Sequence, residues 1–481
     1  MVTEHLSPLD LAFWRIESAD HPMHLGALAV FEAATQDPVP GSGSRPGKGT
    51  GTGPGRGRST GRPARRPGPG SGPDPGTDAD PAARAAALLT ARCTTVPGLR
   101  RRIHDVLLPV GAAAWAPDAD FDPARHVFLV RTPDPRAAAG PLMARPLDRD
   151  RPPWEAHVLA GPDPCSFAVL FKFHHALADG LAALALAATL FDEGPTVRGL
   201  ARPRPEPPAP VPALRDLPGL LATRIQGVGQ ALEIGAAMAR SGLPLAVPAA
   251  LTAGAGGTGT RAVAGLALAL DDVNRIRKVA GGTVNDVLIT LVAGGLRRWL
   301  TDRGDTLAEG PGPRALIPVS RRRPGADPRY GNRLSGYLLR LPIEEPDPLR
   351  RLERVRTGMD RNKEAGPTRG AGAVALLADH VHPLGHRLGG PLVAQAARLL
   401  FDILVTSVPL PGFTFTLGGS RVREVYPLAP LARGHALAVA VSTYKDTVHY
   451  GLVADAAAVP DLAALAEALR EELDTLVREV S

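Results

Sequence analysis

The sequence predicts a mixed α/β protein of two or three domains, and three observations predict it. At 481 residues the chain is too long for one ordinary core, since roughly one domain is expected per 100–200 residues. Each half mixes strand-like runs with stretches of helical spacing. A proline-rich segment, Arg202-Pro-Arg-Pro-Glu-Pro-Pro-Ala-Pro-Val-Pro212, lies between the halves. The expected division is an N-terminal lobe over 1–196, a linker region over 197–260 and a C-terminal lobe over 261–481. No internal repeat is visible, and two similar lobes do not require one.

The elements follow in order. Gly26 to Phe31 reads as a short strand. Residues 37–80 come next, with 22 of 44 being Gly or Pro, and cannot bury enough apolar surface to offset their ordering entropy. They are expected to be a disordered insertion in a surface loop, tolerated because closure cost rises slowly with loop length. An alanine-rich helix starts at Pro81, a buried strand runs from Ser166 to Phe173, and a small-residue helix from Gly180 to about Leu190. Leu217 to about Ser241 has helical spacing with one apolar face, suited to packing or to lying on a bilayer.

In the second half, Ala262–Leu270 reads as a strand and Val284 to Leu300 as a helix. Ala436–Thr443 and Val448–Ala454 read as a hairpin turning through Tyr444-Lys-Asp446. The last helix carries Leu462, Leu465, Leu469, Leu473 and Leu476 at helical spacing, with Asp461 suited to its cap.

Composition narrows the function. Hydrophobic residues are 44% and charged residues 21%, which excludes a wholly disordered or fibrous protein. Of the formal charge of +7, a net +3 sits in residues 37–80, and aromatics are only 4%. Nucleic acid is therefore a weak expectation, whereas anionic membrane surfaces and phosphorylated co-substrates remain open. Two cysteines, Cys93 and Cys165, cannot build a disulfide framework and fit a reducing compartment. The acidic N-terminal stretch lacks the features of a signal peptide. The longest apolar stretch, Ala236 to Leu251, is broken by Arg240, Pro244 and Pro248, so the chain is expected not to span a membrane.

One segment stands apart: Phe171-Lys-Phe-His174-His175-Ala-Leu-Ala-Asp179-Gly180. A strand leads in and a helix leads out, so the histidines sit at a strand end. An imidazole there, with an ordinary pKa near 6.5, can take a proton from a hydroxyl at neutral pH. Spacing alone leaves three readings open: catalysis, a structural histidine beside an Asp179 N-cap, and metal binding. The last lacks a further cysteine or carboxylate cluster.

The HHxxxDG pattern after a strand resembles the signature of the CoA-dependent acyltransferase superfamily. The rest of the chain is similar to one branch of it, the bacterial wax ester synthase/acyl-CoA:diacylglycerol acyltransferase family. The resemblance rests on ordered blocks: Leu6-Ser-Pro-Leu-Asp10-Leu-Ala-Phe13, Glu17, His21-Pro-Met-His24-Leu-Gly26, Leu99-Arg-Arg-Arg102, Trp115, Phe121-Asp122, His126 and Pro146-Leu-Asp148-Arg-Asp-Arg-Pro152-Pro-Trp154-Glu155. The second half adds Val284-Asn285-Asp286-Val287, Pro318-Val-Ser320, Gly331-Asn332, Asp347-Pro348, Tyr426-Pro427, Gly434, Ser442-Thr-Tyr444, Gly451, Asp455 and Val459-Pro-Asp461.

The resemblance implies two chloramphenicol acetyltransferase-like lobes with an active-site tunnel between them. It implies that His175 is the general base, deprotonating the hydroxyl of a diacylglycerol or fatty alcohol that attacks acyl-CoA directly. His174 would orient the site, Asp179 would hold the loop, and Gly180 would permit close backbone approach. No acyl-enzyme is needed, and Cys165 has no neighbour that would activate it. Acyl-CoA is implied as co-substrate, with no cofactor or metal. Membrane-dissolved acceptors imply a cytoplasmic protein with a peripheral place on the inner membrane face or on lipid droplets.

Asn285 and Asp286 carry the family's second motif. Thr283 and Asp286 also resemble a capping box, which is compatible with Asn285 facing the tunnel and polarising the acyl carbonyl. Trp154 suits either the acyl channel or the core, and Arg321-Arg-Arg323 either CoA phosphates or solvent. Two departures bear on substrate choice: Ser407-Val-Pro-Leu-Pro411 replaces the usual Asn-Val-Pro-Gly-Pro, and Pro153 replaces leucine. Two rival readings are a condensation-type acyltransferase using carrier-bound acyl groups and a non-catalytic acyl-CoA or lipid binder.

Overall fold

The computed structural model describes residues 4–33, 80–107, 110–193, 251, 259–305, 307, 312–320, 334–365 and 400–481. The 202–212 linker, the expected helix over 217–241, Arg321–Arg323, Gly331-Asn332 and all of the 37–80 insertion but Asp80 lie outside them.

Two six-stranded sheets carry the molecule. One has the order β12 (Thr416–Leu417), β13 (Ser420–Leu428), β2 (His24–Glu32), β7 (Ser166–His174), β6 (Trp154–Ala160) and β5 (Val127–Arg131), antiparallel except for the β5–β6 pair. The other has the order β10 (Leu334–Arg340), β9 (Arg314–Ser320), β11 (Ile403–Pro409), β14 (Leu437–Tyr444), β15 (Thr447–Asp455) and β8 (Arg261–Ala269). Here β11 runs parallel to both β9 and β14. The strands expected near 26, 166, 262, 436 and 448 are all present, and Lys445 turns the last hairpin at φ 56°.

The division expected at residue 261 does not separate the sheets. Strand β13 comes from the second half of the chain but pairs with β2, Tyr426 opposite Leu28 and Leu428 opposite Gly26. The first sheet is therefore completed by residues 416–428.

Alternation explains how the sheets pack. In β14, Leu437, Val439 and Val441 point into the second sheet's own core. The small residues Ala438 and Ala440 face the first sheet, where Leu28, Leu170, Tyr426 and Leu428 meet them. Close approach needs glycine at two places: a Cβ on Gly451 would stand 1.9 Å from the Pro427 carbonyl oxygen, and one on Gly265 2.8 Å from the Tyr426 ring.

Helices cover the outer faces. The first sheet's outer core includes residues of α2 (Pro81–Cys93) and α4 (Gly180–Ala188), with Leu89, Phe167, Phe171 and Leu186 buried. The second sheet's includes α5 (Leu270–Ala280), α6 (Val284–Asp302), α7 (Pro348–Ala365) and α8 (Leu462–Glu479). Helix α3 (Pro135–Ala144) bridges the sheets: a Cβ on Gly140 would lie 2.4 Å from the Arg261 carbonyl oxygen of β8. Asp461, expected to cap α8, makes no side-chain cap bond. Its carboxylate instead accepts from Trp299 Nε1 at 2.9 Å and from Arg303 at 2.7 Å, tying α8 to α6.

A smaller sheet, β1 (Glu4–His5), β4 (Ala113–Pro117) and β3 (Arg101–Asp105), supports α1 (Pro8–Ile16). Ser7 caps α1 by accepting the Asp10 N–H, with Pro8 at the first helical position. Leu6, Leu11 and Trp14 pack with Ile103, Ala113 and Ala176, which brings α1 against the turn after β7.

Candidate active site

That turn carries His174 and His175. Strand β7 ends opposite β2, His174 paired with His24. Three backbone bonds pin the turn: His174 N–H to Pro153 O at 3.0 Å, His175 N–H to Met23 O at 2.8 Å and Leu177 N–H to His174 O at 2.8 Å. Helix α4 then starts with Asp179 as its N-cap, the carboxylate accepting the Ala182 N–H at 3.0 Å. Gly180 follows, and a Cβ there would stand 3.1 Å from Val408 Cγ2 of β11.

The two histidines face different surroundings. His174 is fully buried, and its Nδ1 accepts the Ala176 N–H at 3.0 Å. Nδ1 as acceptor places the proton on Nε2, which faces Glu17 Oε2 at 3.4 Å. Burial works to raise the Glu17 carboxyl, but His174, the Met23 N–H and Arg149 outweigh it and hold it below the usual carboxylate range. His174 is thus built into the turn. His175 opens onto a cavity of about 360 Å³ between the two sheets. Its ring lies face to face with Phe13, centroids 4.0 Å apart.

The cavity wall is mostly apolar, including Leu25, Phe173 and Leu184 from the first half and Val408, Leu410 and Leu428 from the second. Among the described residues its polar members are few: His175, Asp179, Thr406, Ser407 and Ser442. The Ser442 hydroxyl is engaged, donating to Val425 O at 2.7 Å. An apolar cleft with one imidazole and a few hydroxyls suits an acyl chain and a proton transfer.

The expected residues divide accordingly. His175, Asp179 and Gly180 line one cavity; buried His174 stands behind it. Asn285 and Asp286 are not on that wall: they open α6, where Thr283 and Asp286 form a reciprocal capping box. Trp154 is core, its Nε1–H donating to Leu99 O at 2.7 Å with His126 stacked on it. The unusual stretch beginning at Ser407 does form part of the wall. Cys93 is buried, which pushes its thiol up to about 11, and Cys165 is exposed just before β7. Among the described residues no three metal-ligating side chains converge.

A buried polar network lies behind the strand. Lys172 donates to Arg145 O at 2.8 Å and to Glu155 at 3.1 Å, and His157 lies 2.9 Å from the same carboxylate oxygen. Burial would raise the Glu155 carboxyl, yet His157 and Lys172 outweigh it and hold it at about 2. Burial, then the charge on Lys172, pushes His24 down to about 3.

Fold and site together define a two-lobed α/β protein with a histidine turn at the cavity between its sheets. The wax ester synthase/diacylglycerol acyltransferase from Marinobacter aquaeolei VT8 shares the fold with a TM-score of 0.66 and 21% identity over 99% of each chain. The first condensation domain of the CDA synthetase shares it with a TM-score of 0.54 and 16% identity, over 100% of this chain and 97% of that one. In sequence, the wax ester synthase/diacylglycerol acyltransferase catalytic domain matches residues 6–47 and 63–288, and the family's C-terminal domain matches 330–477. The chain belongs to the wax ester synthase/diacylglycerol acyltransferase family. Among its relatives, "Probable diacyglycerol O-acyltransferase tgs1" of Mycobacterium tuberculosis is 30% identical over 415 residues, 79% of this chain and 83% of the relative. "Probable diacyglycerol O-acyltransferase tgs2" of the same species is 29% identical over 493 residues, 99% of each.

Proposed function

We propose that the protein transfers a long-chain acyl group from acyl-CoA to the free hydroxyl of diacylglycerol, forming triacylglycerol, and that fatty alcohols serve as second acceptors to give wax esters. The observation that carries this is the placement of His175 in an apolar cavity between two lobes of an acyltransferase family member. The His175 imidazole takes the acceptor's proton as its oxygen attacks the thioester carbonyl. The tetrahedral adduct collapses by breaking the C–S bond, and CoA leaves as a thiol carrying the proton returned from the imidazolium. Thr406 lies on the face of β11 that Leu404 and Val408 turn toward the first sheet, and its hydroxyl is the donor suited to the oxyanion. Asp179 and Gly180 set the start of α4, and acyl-CoA is a co-substrate with no further cofactor.

Both lipid substrates dissolve in membranes, so the protein works at a membrane or lipid-droplet surface from the cytoplasmic side. Among the described residues no single helix is long and apolar enough to span a bilayer. The test is purified protein with labelled palmitoyl-CoA and, separately, a diacylglycerol and a long-chain alcohol, alongside His175→Ala. Labelled triacylglycerol or wax ester that disappears in the variant supports the reaction and its base together. Product persisting in the variant overturns the base assignment. The fold shared with condensation domains favours one second reading, transfer from a carrier-bound acyl group; turnover with a carrier thioester but not with acyl-CoA would select it.

A further inference from the structure

Helix α1 touches both histidines. Phe13 lies flat on the His175 ring, with centroids 4.0 Å apart and planes 13° from parallel. Trp14 meets the His174 ring edge-on at 4.9 Å, and Glu17, the C-cap of α1, sets its carboxylate 3.4 Å from His174 Nε2. The helix is itself firmly held. Trp14 is buried, the Arg149 guanidinium sits 3.8 Å over the Trp14 ring, and Arg149 donates to Trp14 O at 2.9 Å and to Glu17 at 3.3 Å. Met23 closes the circuit: its N–H donates to Glu17 Oε1 at 3.0 Å, and its carbonyl accepts the His175 N–H at 2.8 Å.

A backbone held this way fixes where the His175 Cβ points but not the plane of its ring, because the imidazole torsion has a broad minimum. A stacked aromatic face does fix a plane. We propose that Phe13 is a positioning residue, holding the His175 ring in the orientation from which it takes the acceptor's proton, while Glu17 and His174 hold the turn beneath it. The inference rests on His175 being the base. Phe13 is not among the residues lining the cavity, so its loss should disturb proton transfer and not substrate binding.

The test measures kcat, KM for palmitoyl-CoA and melting temperature for Phe13→Leu, Phe13→Met, Phe13→Tyr and His175→Ala. Misplacing a catalytic group by about 1 Å costs on the order of 100-fold. The expected result is a fall in kcat of about 10- to 100-fold in Phe13→Leu and Phe13→Met. KM and melting temperature should stay near those of the unchanged protein, and Phe13→Tyr should restore most of the rate because it keeps the flat face. Full kcat in the aliphatic variants would overturn the proposal. So would a KM rising in step with the loss, a Tyr variant as slow as the Leu variant, or collapse of melting temperature in both aliphatic variants, which would make Phe13 a packing residue. Activity surviving in His175→Ala would sink the base assignment itself; a dead His175→Ala beside fully active Phe13 variants would sink only the positioning role.

Discussion

Gly180 and Val408 face each other across the junction of the two lobes so closely that a Cβ on Gly180 would stand 3.1 Å from Val408 Cγ2. One opens the helix behind the histidine turn and the other lies on β11, and both line the cavity. Gly180→Ala should therefore fold, because a valine methyl can yield a few tenths of an ångström, and lose several-fold in kcat/KM. Gly180→Val should lose nearly all turnover with its melting temperature little changed. Adding Val408→Ala to Gly180→Ala should restore the rate; strict additivity in that cycle would refute the contact.

Asp179 contributes through its cap. Asp179→Ala removes the acceptor of the Ala182 N–H and should cost about 1 kcal/mol of stability, together with activity, since α4 begins beside the His175 turn. Asp179→Ser keeps a capping oxygen and should regain most of the stability in a denaturant titration.

Lys172 and Glu155 form a buried pair, and breaking such a pair from one side costs about 3–5 kcal/mol. Lys172→Met should approach that range, and the Lys172→Met/Glu155→Gln double variant should lose less than the sum of the singles. The sign with pH follows from Glu155 being held at about 2 against an ordinary 4.5. Its contribution is fully present above the higher value and disappears as pH falls toward the lower. Stability measured from pH 5 down to 2 should decline less steeply in Glu155→Gln; an unchanged slope would refute the assignment.

Thr406 lies on the face of β11 turned toward the cavity, and Asn285 is not among the residues lining it. If the Thr406 hydroxyl steadies the oxyanion, Thr406→Val should lower kcat by about 10²-fold or more while leaving KM in place, whereas Asn285→Ala should leave kcat nearly unchanged. A large kcat loss confined to Asn285→Ala would reverse the assignment.

Much of this site was legible from residues alone. The run from Phe171 to Phe173 ending in two histidines, with Asp-Gly four residues later, reads as strand end, turn and capped helix because alternation and capping are local properties. The capping box of Thr283 and Asp286 is local in the same way. What could not be read was pairing at a distance. Phe13 and Glu17 carry no local sign that they meet histidines some 160 positions away. Asp461 precedes a helix as a cap would, yet a tryptophan and an arginine from α6 claim its carboxylate. Alternation tells which face of β13 is apolar, but not that its neighbour is β2.

That last pairing has a consequence for how the molecule is made. Strand β2 lies within the first 32 residues, and the strand that covers its free edge ends at Leu428. A ribosome synthesising the chain must add almost 400 residues after β2 before that edge can close. Until then β2 presents unpaired amides and carbonyls beside apolar side chains, the kind of edge that captures other chains. Because contacts so far apart in sequence form slowly, the nascent first half is the stage most exposed to aggregation. A fragment ending before residue 416 should be insoluble alone, and supplying the missing hairpin on a separate second half should rescue it.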